Sequence, residues 1–172
     1  FVKDVMELSP DFRGYGQQDA QEFLKLLLTY LETRLAAVPP SQPARLRNLV
    51  QDQFRGSYAY CTTCLACSRT SQVHVSFYDL DLKVQGLGRL EECLADFFSK
   101  ETLQGDNQYA CAACDAKRDA ERGIQLLQVP RVLNLQLMRF VFDVKSGSRK
   151  KVSQQVSFPH VLDLAPYVAR PP

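Results

Sequence analysis

The chain has 172 residues, 45% hydrophobic and 23% charged, which suits one ordinary domain or a large part of a bigger one and excludes a disordered tail. Its 21 basic residues stand against 19 acidic ones, a formal charge of +2, so no global field points to nucleic acid or an anionic membrane as partner. No apolar run approaches a membrane span, and the N-terminus carries no basic-then-apolar leader.

The sequence starts at Phe1 without an initiator Met and stops at Arg170-Pro171-Pro172; both ends read as cut from a longer protein. Gly16-Gln17-Gln18-Asp19 opens a periodic stretch in which Ala20, Phe23, Leu24, Leu27, Leu28, Leu31 and Leu35 recur at helical steps. Asp19 and Glu22 have capping-box spacing, which predicts the helix start. The proline-rich Val38–Pro43 stretch ends the helix as a loop, and Leu46–Phe54 reads as a shorter helix leading into Gly56.

From Ser57 onward the texture is that of strands. Val73, Val75 and Phe77 alternate in one phase, and Tyr78, Leu80, Leu82 and Val84 in the other. Such a flip predicts a bulge or a strand passing between environments. Leu90, Cys93, Leu94, Phe97 and Phe98 form a second helical stripe. Ile124–Val129 and Val132–Phe142 read as strands separated at Pro130, Ser146-Gly147 as a turn before the basic run Arg149-Lys150-Lys151, and Val156–Leu164 as a last extended segment. Helices first and strands later predict an α+β architecture.

Six cysteines without a secretory leader, four of them in two C-x-x-C pairs, favour a metal over disulfides. Cys64-Leu-Ala-Cys67 and Cys111-Ala-Ala-Cys114 each place two sulfurs on a tight turn, and together they make a tetrahedral tetrathiolate shell for a structural Zn2+ with no open position. The competing readings are four unrelated core thiols or a redox pair. Cys61 and Cys64 share the same spacing, but Ser68 is the small residue a knuckle turn prefers after its second cysteine. Cys64 and Cys67 are therefore the assigned ligands, with Cys61 and Cys93 as bystanders.

Gly16–Phe23, the two knuckles, Leu103–Tyr109 and Leu133–Phe140, in this order over nearly the whole chain, resemble the ubiquitin-specific protease family. Phe77–Leu82, Leu133–Asp143 and Leu162–Tyr167 resemble most closely one branch of it that has plant members. The resemblance implies a papain-like cysteine protease fold of thumb, palm and fingers that cleaves the bond after the C-terminal glycine of ubiquitin. On that mapping residues 1–172 are a single partial catalytic domain: about 1–55 later thumb, 56–125 zinc-bound fingers and 126–172 the start of the palm.

The resemblance further implies that Gln17, Asp19 and Glu22 hold ubiquitin's basic tail. A carboxylate pair one turn apart can take a guanidinium bidentately, although capping alone explains the spacing equally well. Phe140 and Lys151 match positions near a ubiquitin-contacting loop; palm core and a solvated hairpin are the competing readings. Catalytic residues are expected to be none: the family's cysteine segment lies upstream of Phe1 and its histidine box beyond Pro172. Neither His74 nor His160 has the surroundings of a base paired with a thiolate.

The expected partners are ubiquitin and ubiquitinated proteins, with no nucleic acid and no membrane, in the nucleus or cytoplasm. A non-catalytic ubiquitin-binding module is the alternative. A zinc-ribbon nucleic-acid binder fits less well, because Asp115, Lys117, Arg118, Asp119 and Glu121 give mixed signs beside the second knuckle.

Overall fold

A computed structural model describes residues 6, 9–14, 16–39, 41–144 and 146–169; Phe1 and Pro172, read above as cut ends, lie outside them. The chain divides into two units, Phe1–Arg55 with Pro130–Asn134, and Gly56–Val129 with Leu135–Pro172.

In the first unit, helix α1 (Ala20–Ala36) starts at an Asp19 N-cap. Asp19 Oδ1 accepts from the backbone N–H of Gln21 at 2.7 Å and of Glu22 at 3.3 Å, satisfying two of the donors that a first turn leaves open. Of the predicted stripe, Leu28 is buried and Phe23, Leu24, Leu27 and Leu35 are half-buried, while Ala20 and Leu31 are exposed. The apolar face is therefore narrower than the periodicity suggests. Phe12 meets Phe23 edge-on at 5.6 Å.

The helix expected over Leu46–Phe54 is two helices, α2 (Ala44–Arg47) and α3 (Leu49–Phe54). They part at Asn48, whose φ of −105° departs from helical values while its carbonyl still accepts from Asp52 N–H. The earlier start follows Pro43, at φ −54°, already set for helix entry. Gln51 donates to Glu32, tying α3 to α1, and Val132 N–H donates to the Gln53 carbonyl at 2.9 Å.

The second unit is built on a four-stranded sheet in which β1 (Gly56–Cys64), β2 (Thr70–Phe77), β7 (Ala120–Gln128) and β4 (Glu101–Leu103) are ordered β2-β1-β7-β4. Outside this sheet, β3 (Asp79–Lys83) pairs with β8 (Asn134–Met138), β5 (Tyr109–Cys111) with β6 (Ala116–Arg118), and β9 (Phe140–Asp143) with β10 (Ser148–Lys151). The phase flip at Phe77-Tyr78 is a change of sheet: β2 ends at Phe77, and β3 opens two residues later in another ladder. β7 begins at Ala120, ahead of the expected Ile124. The expected Val132–Phe142 strand is interrupted at Arg139, whose guanidinium instead donates to the Val152 and Gln154 carbonyls at 3.2 and 2.7 Å. In the expected extended segment over Val156–Leu164, the pairing among described residues is a single bridge from Ser157 to Arg89.

Helix α4 (Leu90–Phe97) packs on β3. Leu80, Leu82, Val84, Cys93 and Leu94 are buried there, each large aliphatic stabilising by about 1.5–3 kcal/mol relative to exposure. Glu92 closes its N-terminus, accepting from the N–H groups of Gly88 and Arg89 at 2.9 and 3.1 Å. The C-terminal segment lies across the same core: Tyr167 stacks on Phe98 at 4.7 Å, and Ala169 N–H donates to the Leu126 carbonyl at 2.8 Å. Gly56 has no room for a side chain, since a Cβ there would press on the Phe77 ring and stand 2.9 Å from the Gln128 carbonyl.

Candidate functional site

The long β1–β2 hairpin and the short β5–β6 hairpin carry the two knuckles. Cys64 is the last residue of β1 and Cys111 the last of β5, so strand pairing fixes one sulfur of each pair and the turn delivers the other. Ser68 N–H donates to the Cys64 carbonyl at 2.9 Å, and Cys114 N–H to the Cys111 carbonyl at 3.2 Å. Leu65 N–H reaches the Asp119 carbonyl at 2.9 Å, binding the first knuckle to the connection behind the second.

Residues immediately after the second cysteine share a backbone conformation: Ser68 has φ 57° and Asp115 φ 48°. What the position requires is tolerance of the left-handed region, which short polar side chains have. The small size of Ser68 is the legible sign of this, and Asp115 satisfies the same need differently.

All four sulfurs lie within 4.8 Å of one another. Cys64 Sγ is 4.0 Å from Cys114 Sγ, and Cys67 Sγ is 3.7 Å from Cys111 Sγ. A tetrahedral shell with metal–sulfur bonds of about 2.3 Å sets its sulfurs about 3.8 Å apart, so the four thiols are spaced to hold one metal ion. Backbone N–H groups, that of Cys67 foremost, hold the Cys64 thiol down to about 7, against the opposing effect of burial. The hydrogen bond with Cys67, burial and the neighbouring Cys111 and Cys64 thiols push Cys114 up to about 12. Of these two thiols, Cys64 is therefore the one that gives up its proton more readily.

Cys61 and Cys93 stand outside the cluster. Cys61 Sγ lies 3.4 Å from Gln125 Oε1, and Cys93 is buried on α4; burial raises both thiols. His74 is exposed on β2, opposite Ala59, and His160 is exposed beyond β10.

Gln17, Asp19 and Glu22 are exposed at the start of α1. The two capping bonds of Asp19 both use Oδ1. In the second unit Phe140 and Lys151 face each other across the β9–β10 pair, both exposed. Phe142 and Arg149 form the next such pair, and the sequence reading does not single them out, although the Phe140-x-Phe142 alternation is its signal.

Residues 1–171 match the family described as ubiquitin carboxyl-terminal hydrolase. The chain belongs to the ubiquitin carboxyl-terminal hydrolase family. Among curated relatives it is 47% identical over 152 residues to Ubiquitin carboxyl-terminal hydrolase 48 of Danio rerio and 45% identical over 152 residues to that of Gallus gallus. It is 42% identical over 158 residues to Ubiquitin carboxyl-terminal hydrolase 26 of Oryza sativa subsp. japonica. These matches cover 88–90% of the chain but only 14% of each relative's length. They are the branch, plant members included, that Phe77–Leu82 and Leu133–Asp143 resemble.

Among solved structures, the chain overlays the SAGA Ubp8/Sgf11/Sus1/Sgf73 DUB module bound to ubiquitin aldehyde with a TM-score of 0.83 at 28% identity. The overlay covers 98% of this chain and 37% of that one. A second structure, of a Ubp8 variant in the same module bound to monoubiquitin, gives 0.84 at 29% over 98% and 38%. The mixed α+β arrangement of this ubiquitin carboxyl-terminal hydrolase segment is thus a part of the family's fold.

Proposed function

We propose that the chain is the ubiquitin-gripping portion of a thiol-dependent deubiquitinase that cleaves the bond after ubiquitin's C-terminal glycine. The observation that carries this reading is the overlay of 98% of the chain on a deubiquitinase module bound to ubiquitin aldehyde, together with the family match over residues 1–171. In this account residues 1–55 serve as thumb, 56–125 as fingers and 126–172 as the start of the palm, and the parent protein works in the nucleus or cytoplasm.

Gln17, Asp19 and Glu22 take the basic tail of ubiquitin. Asp19 can cap and bind at once, because both capping bonds use Oδ1. Phe140 and Lys151 offer an exposed ring and a cation to ubiquitin's body. Cys64, Cys67, Cys111 and Cys114 hold a structural Zn2+, which the all-thiolate donor set and the 3.7 and 4.0 Å sulfur separations suit. When bound, the ion joins two hairpins; with all four positions filled by protein it offers no site for substrate.

The nucleophilic thiolate and its base come from parts of the parent outside residues 1–172. The test is a ubiquitin C-terminal electrophile applied to the 172-residue chain and to the parent. We expect labelling of one cysteine in the parent that lies outside these residues, and none in the chain alone. Labelling of any of the chain's own cysteines, or turnover abolished by His160→Ala, would overturn the assignment; an unlabelled parent would favour a non-catalytic ubiquitin binder.

A further inference from the structure

We propose that the outer edge of β10 docks an extended acidic segment of a partner protein as an added strand, a role beyond the ubiquitin contact assigned to Phe140 and Lys151. β9 and β10 form a two-stranded sheet of their own, so among the described residues no strand covers the far side of β10. Opposite residues of an antiparallel pair alternate between hydrogen-bonded and non-hydrogen-bonded. Val152 N–H donates to the Arg139 carbonyl at 2.6 Å, and the register runs on as Lys151↔Phe140, Lys150↔Val141, Arg149↔Phe142 and Ser148↔Asp143. Stepping by two from Val152, Lys150 and Ser148 bond to β9. Arg149 and Lys151 turn their N–H and C=O groups outward.

The same two residues carry the cations on one face. Side chains opposite each other across the pair share a face, so Arg149 stands beside Phe142 and Lys151 beside Phe140. The two rings are 65% and 64% exposed, and Ser148–Lys151 is exposed throughout. A strand laid on this edge would gain main-chain bonds at Arg149 and Lys151. Its residues opposite them would point to the cation-bearing face, where carboxylates at alternate positions meet Arg149 and Lys151. The charge selects an acidic occupant, and the open ladder selects an extended one.

The probe is a synthetic peptide alternating Glu and Val, with a Lys-for-Glu version as control, added to the parent protein while amide exchange is followed. We expect the Arg149 and Lys151 amides to exchange freely in the parent alone and to slow about tenfold with the acidic peptide only. Arg149→Pro removes an outward N–H without touching the β9 ladder, so it should weaken peptide binding about tenfold while ubiquitin binding holds. The proposal fails if these amides are already protected in the free parent, which would mean that the parent's own chain fills the edge. It also fails if the Lys peptide binds equally well, if single-stranded nucleic acid displaces the acidic peptide, or if ubiquitin but not the peptide slows the amides.

Discussion

At the scale of single residues, the two positions after the knuckles show how little sequence freedom a paired-cysteine turn leaves. Ser68 and Asp115 sit at φ 57° and 48°, where an L side chain costs roughly 1–2 kcal/mol and a β-branched one more. Asp115→Gly should raise the melting temperature of the chain, and Ser68→Val should lower it by the equivalent of about 1–2 kcal/mol. Thermal melts followed by circular dichroism check both; equal melting of all three proteins would show that the turns relax.

The cysteines divide in the same way. On the proposed zinc assignment, Cys111→Ser removes from the cluster the sulfur at the end of β5, so zinc content should fall and the two cysteine-bearing hairpins lose order, because structural zinc binding couples to folding. Cys61→Ser, whose sulfur faces Gln125 instead, should keep one zinc per chain. Elemental analysis decides between these outcomes, and zinc loss in Cys61→Ser would contradict the assignment.

At the scale of elements, β1 is the member on which the second unit depends. It pairs with β2 on one side and β7 on the other, and its end delivers Cys64. Tyr58 locks it to β2, 5.6 Å from Phe77, and meets Tyr60 of its own strand edge-on at 5.4 Å. Burial first, then the hydrogen bond with Tyr60, pushes Tyr58 up to about 12. Because its folded value lies above the unfolded value near 10, the folded state retains a proton that the unfolded state has lost between those limits. Stability from this group is therefore fully present below pH 10 and is lost as the pH rises toward 12. Tyr58→Phe keeps the ring contacts and should flatten that alkaline limb in melts taken across the range. An unchanged limb would place the titration elsewhere.

At the scale of the whole chain, what could be read from sequence is what periodicity encodes. The α1 stripe, in narrower form, the paired C-x-x-C spacing and one of the two readings of the phase change at Phe77-Tyr78, a strand passing between environments, appear in the structure. Other features leave no apolar trace. β7 starts at Ala120 because Glu121, Arg122 and Gly123 are held by pairing with β1 and β4, not by a buried face that alternation would mark. β10 consists of Ser148, Arg149, Lys150 and Lys151, all exposed, so composition marks it as a solvated run and only its partner strand makes it a strand. The break at Asn48 and the interruption at Arg139 are tertiary outcomes: one depends on where two short helices dock, the other on carbonyls at Val152 and Gln154.

The proposed ubiquitin-gripping role is tested at this scale as well. Glu22 separates it most cleanly from helix capping. Asp19 contributes the carboxylate that caps α1, whereas Glu22 contributes only its N–H to that cap, so Glu22→Gln removes a charge from an exposed position and leaves the cap intact. The decisive measurement is a calorimetric titration of ubiquitin into the parent protein with and without Glu22→Gln. About a tenfold loss of affinity is expected, as for removing a charged hydrogen bond to an arginine, with an unchanged melting temperature. Affinity equal to that of the unsubstituted protein would contradict it.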